Sequence, residues 1–111
     1  MAEDTWGLDP QVRYMRRVFA SMEGAGNNLI ASAGIAPFDE RLRRFREMAL
    51  VLFDKAWSSA IRKGIAADEE DAAVIYTHCL AHILSTRGIA LPAGFLPTNE
   101  AIQALLKEVL R

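Results

Sequence analysis

The apolar positions of this chain recur at helical spacing, and no segment alternates with the period of two that marks a strand. The most apolar stretch is DEEDAAVIYTHCLAHILSTRG, from Asp68 to Gly88. Its ends are marked. Asp68 suits an N-cap, Glu69, Glu70 and Asp71 suit the positive end of the helix dipole, and Arg87 and Gly88 suit the other end. Between them Ala72, Ala73, Val74, Ile75, Tyr76, Cys79, Leu80, Ala81, Ile83 and Leu84 leave no single polar face. A helix apolar on most sides is buried among others. The run is shorter than the roughly 20 residues that span a bilayer. The pattern predicts a rod inside a bundle, touching at least two partner helices.

Three more helices follow from the same reading. Asp9 caps the first and Pro10 occupies its opening turn, where a missing N–H costs little. Val12, Met15, Phe19 and Met22 form its expected apolar stripe, with Val18 beside them, and its expected end is near Glu23 or Gly24. The segment GAGNNLIASAGIAPF, 24–38, holds three glycines and a proline and reads as a break. So long a link is rarely structureless, and Asn28 to Ala33 predict one short helical piece packed on the core. The second long helix is expected from Phe38 or Asp39 to Lys63, with Gly64 as its stop. Leu42, Phe45, Ala49, Leu52 and Ala56 make a seam along it, and Met48, Val51, Phe53, Trp57 and Ala60 widen that seam. The extra width suits two neighbours, or one neighbour and a second subunit. The short link from Gly64 to Ala67 forces the second helix and the central one to run antiparallel. Beyond Gly88, IALPAGFLPTN reads as an apolar loop, and Thr98 caps a last helix, Asn99 to Leu110, striped by Ile102, Leu105, Leu106 and Val109. The expected fold is all-α: one domain over 1–111, a four-helix bundle with a short extra helical segment between helices 1 and 2, and a loose arm over 1–8.

Composition narrows the setting. With 111 residues and a hydrophobic fraction of 51%, the chain can bury a core without staples. A net charge of −1 gives no global field toward nucleic acid or an anionic membrane. A lone cysteine excludes an intrachain disulfide framework and suits a reducing compartment. The opening MAEDTWGLDP has no apolar h-region, so the expected location is the cytoplasm.

The candidate chemistry is sparse. His78 and His82 stand four apart on one helix face, and Asp71 lies on that face seven residues before His78. Two imidazoles and a carboxylate suit a divalent transition metal, with Cys79 on the neighbouring edge as a soft ligand. The general-base glutamate of an HExxH motif is missing. Cys79 itself, mid-helix among apolar residues, reads as a small hydrophobe rather than a nucleophile. Arg41, Arg43, Arg44 and Arg46, with Arg13, Arg16 and Arg17, are the one basic concentration. Glu40 and Glu47 interleave with them, which favours a solvated face with pairs such as Arg43–Glu47 over a nucleic-acid surface. GAGNN lacks the spacing of a phosphate loop, and the acidic run 68–71 is explained by its place at a helix start. No acid, base and nucleophile gather in one place, so no catalysis is assigned and no cofactor is required. The leading expectation is a small interaction module that forms a homodimer or binds a protein partner. Trp57, Phe53, Phe95 and Trp6 are its expected contact aromatics. The second expectation is a bundle that binds a metal or small molecule around His78 and His82.

Overall fold

A computed structural model describes residues 10–65, 68–92 and 100–109, and four helices run through them with no strand among the described residues. They are α1 (Pro10–Ser32), α2 (Arg41–Lys63), α3 (Glu69–Thr86) and α4 (Glu100–Val109). The arm 1–8, the Asp9 cap and the Thr98 cap lie outside the described residues.

The central rod is α3. Asp68 is extended at its N-cap and accepts from the Asp71 backbone N–H at 2.9 Å, while the Asp71 side chain reaches back to the Asp68 N–H, a reciprocal capping box. Ala72, Ile75, Tyr76, Thr77, Cys79, Leu80, Ala81, Ile83 and Leu84 are all buried. Thr77 satisfies its hydroxyl by donating to the Ala73 carbonyl at 2.7 Å. Among the described residues the greatest packing is α1 against α3, then α2 against α3, with α4 laid on α2 and more lightly on α3. Arg17 faces Glu69 while Gly26 faces Tyr76 and Leu80, so α1 runs parallel to α3. Arg87 meets Met48 while Tyr76 meets Phe53, so α2 runs antiparallel, as the short link requires.

The short helical piece expected between helices 1 and 2 is helical, but it is the end of α1 itself, which continues through Gly24 and Gly26 to Ser32. Each interior glycine disfavours a helix by about 1 kcal/mol. Burial of Met22, Leu29 and Ile30, at 2%, 0% and 3% exposure, outweighs that cost.

The stop signal is Gly34, at φ +76°. The Gly34 N–H donates to Ala31, and the Ile35 N–H reaches back to Ile30. This is a Schellman closure, in which glycine takes the left-handed residue and the next side chain folds onto the helix. The same closure ends α2 at Gly64–Ile65 and α3 at Gly88–Ile89. Ile35, Ile65 and Ile89 all pack on the core. The tripeptide Gly-Ile-Ala thus recurs at 34, 64 and 88, once behind each long helix.

Candidate functional site

Because α1 and α2 both lean on α3 and scarcely touch each other, a groove opens between them. It is closed at one end by Arg46, whose Nη2 donates to Asn27 Oδ1 at 2.8 Å. Phe19, Met22, Glu23, Gly26 and Asn27 line one side, Arg46 and Leu50 the other, and Tyr76 of α3 forms the floor. The cavity is about 370 Å³.

Tyr76 is 5% exposed. Phe53 meets its ring edge-on at 6.2 Å, and Phe53 in turn stacks on Trp57. The ring also lies against the α1 backbone, where a Cβ at Gly26 would fall 2.8 Å from Tyr76 Cε2. No described residue hydrogen-bonds the Tyr76 hydroxyl, yet no fully buried polar atom among the described residues lacks a partner. The hydroxyl therefore opens onto the groove. Burial raises its pKa above the ordinary phenol value, the nearby Arg46 charge opposes that rise, and Cys79 and Glu23 add to it.

Beside the groove runs an uncovered apolar strip. Phe19 is 51% exposed, and Met15, Val12 and Leu50 are about 40% exposed. This corrects the expected stripe of Val12, Met15, Phe19 and Met22, of which only Met22 is buried. The added turns of α1 carry Leu29 and Ile30, and their burial sets which face turns inward. The helix is rotated so that Val18, Met22, Gly26 and Leu29 face α3 and the expected stripe lies along the edge.

The expected contact aromatics divide. Phe53 is buried within the chain at 7% exposure, and Trp57 is half-buried against it. Phe95 and Trp6 lie outside the described residues.

His78 and His82 are half-buried on α3. Asp71 is not brought together with them, and no three His, Cys, Asp or Glu side chains gather as a metal site among the described residues. The reason is helical rise: seven residues separate Asp71 from His78 by about 10 Å along the axis, too far for one ion. Asp71 is spent on the capping box instead. Cys79 is fully buried, and burial pushes its thiol up to about 12. That is an inert side chain filling core space.

The arginines are dispersed rather than gathered into one patch. Arg43 pairs with Glu47 on the solvated face, as expected, Arg17 faces Glu69, and Arg46 turns into the groove. Arg41 is gripped by Asp39, whose carboxyl it holds down at about 2. On the far flank of α2, Arg41, Arg44 and Arg87 surround a shallow basin over Phe45 and Met48, with Glu40 on its rim.

Among the described residues, no helix is long and apolar enough to cross a membrane. Comparison with known proteins finds no matching family model, no matching curated protein and no matching solved structure.

Proposed function

We propose that this chain is a helical interaction module that pairs with a second copy of itself through the α1–α2 face. The observation that carries the reading is the exposed strip Val12–Met15–Phe19 lying beside an apolar groove that reaches Leu50. A two-fold contact needs a patch that is complementary to itself. A ridge and a groove on one face meet that need, since each copy supplies the knob for the other's hole. Charge agrees. Glu23 and Arg46 line the same groove, so a two-fold axis can set each opposite its counterpart, whereas a strongly charged partner would meet both signs. Large aromatic and methionine side chains at the centre of such a face are the usual anchors of binding energy.

The inert core thiol makes a clean test. In a Met15→Cys chain the introduced cysteine is the accessible one, because Cys79 is buried. Its labelling by a thiol reagent slows as protein concentration rises from about 1 to about 100 μM, since association covers it. A cysteine at Glu70, exposed at the start of α3, labels at one rate throughout. Equal rates at position 15 over that range would overturn the proposal.

A further inference from the structure

We propose that the closed end of the α1–α2 groove is a binding site for a small apolar carboxylic acid. The observation behind it is the Tyr76 hydroxyl. It belongs to a side chain that is 95% covered, it has no hydrogen-bond partner among the described residues, and it opens onto the cavity. Facing the cavity with no protein partner among the described residues, that O–H is held in place by the packed ring and is available to donate to a ligand oxygen in exchange for water.

The second polar group at that end is Arg46. It is half-buried, and its single hydrogen bond, from Nη2 to Asn27 Oδ1, orients the guanidinium and leaves Nε and Nη1 unbonded among the described residues. A forked cation and a neutral O–H donor converging on one cavity match a carboxylate, which accepts at both oxygens. Beside Asn27, which holds Arg46, and Glu23, the wall is apolar: Phe19, Met22 and Leu50, with Gly26 contributing no side chain at all. About 370 Å³ suits a compact ring or a short aliphatic tail behind the acid group. Glu23, also on the wall, carries no salt bridge to Arg46 and disfavours ligands with a second negative charge. That carboxylate opposes any anion and a dianion most, so a monoacid is favoured over a phosphate ester. Self-association is not assumed here, and the test below has a readout that association alone does not move.

The test is a titration of the full chain with 3-phenylpropanoate and with its neutral amide, followed through the methionine methyl resonances. Met22 lines the groove, whereas Met48 floors the arginine basin on the other flank of α2, so each methyl reports one site. The acid shifts Met22 and leaves Met48 still, and it binds about tenfold or more tightly than the amide, as expected when a charge-assisted hydrogen bond is lost. Arg46→Gln removes the preference for the acid, and Tyr76→Phe, which keeps the ring packing, weakens acid binding by about tenfold. If Met48 moves instead of Met22, if acid and amide bind alike, or if Tyr76→Phe binds as the parent does, the site is not as proposed. Should Arg46→Gln fail to fold, the acid-against-amide comparison on the parent chain together with Tyr76→Phe gives the decision.

Discussion

At the scale of single residues, two neighbouring glycines of α1 make opposite predictions. Gly24 has nothing within 4 Å of the place its Cβ would occupy, so Gly24→Ala gains helix propensity and stabilises by about 0.5–1 kcal/mol. A Cβ at Gly26 would fall 2.8 Å from Tyr76 Cε2, and that ring is packed against Phe53 within the core. Overpacking of about 1–3 kcal/mol then exceeds the propensity gain, and Gly26→Ala loses stability. Urea unfolding of the two variants checks the sign of each. Burial of Cys79 makes a second prediction. Its thiol is raised from 9.0 to about 12 in the folded chain, so the native state keeps a proton that the unfolded state gives up. Stability from this group is complete below the unfolded value and is lost as pH climbs from 9.0 toward about 12. The slope is about 1.4 kcal/mol per pH unit over that window. Tyr76 is shifted in the same direction and steepens it. Cys79→Ala should flatten the alkaline limb of a stability–pH curve, and an unchanged limb would count against a buried thiol. That Cys79 is inert was legible from its apolar neighbours. That Tyr76 has a bare hydroxyl was not, because the signal lies in what α1 and α2 leave uncovered.

Elements were more legible than their limits. The central helix carries its boundary signals in its own residues, and Asp68, Glu69 and Gly88 stand where the charge pattern sets them. Removing the reciprocal cap with Asp68→Ala costs about 1 kcal/mol. Thermal unfolding reads the loss, and a null result would mean that the capping box contributes nothing. The misplaced boundary is the end of α1. Gly24 and Gly26 are breakers by residue type, but whether a glycine ends a helix depends on its φ. Both lie within regular helix, while the left-handed glycines are Gly34, Gly64 and Gly88. What separates the two kinds is the following residue. Each left-handed glycine is followed by Ile-Ala, and the isoleucine packs back on the core as the Schellman closure asks. The recurrence of Gly-Ile-Ala is legible in the sequence and marks the end of α1 where the structure has it.

For the whole molecule, the all-α bundle followed from periodicity, because a rod with no polar face has to be sheathed. Which surfaces remain bare did not follow, because that depends on helix rotation. A helix of two further turns carries Leu29 and Ile30 into the core and moves Val12, Met15 and Phe19 to the edge of an open groove. The sequence pattern for that reason points to the histidine face of α3 and to aromatics such as Phe53, which the core absorbs. A bare strip of this kind suits a contact between copies of the chain, and its removal should cost association and not folding. Sedimentation equilibrium over a dilution series, run on the parent chain and on Phe19→Glu with equal helical content, measures this most directly. The expected result is a reversible dimer of the parent at tens of micromolar and a monomer throughout for Phe19→Glu. A parent chain that stays monomeric at those concentrations, or a Phe19→Glu chain that dimerises as strongly, would contradict the account.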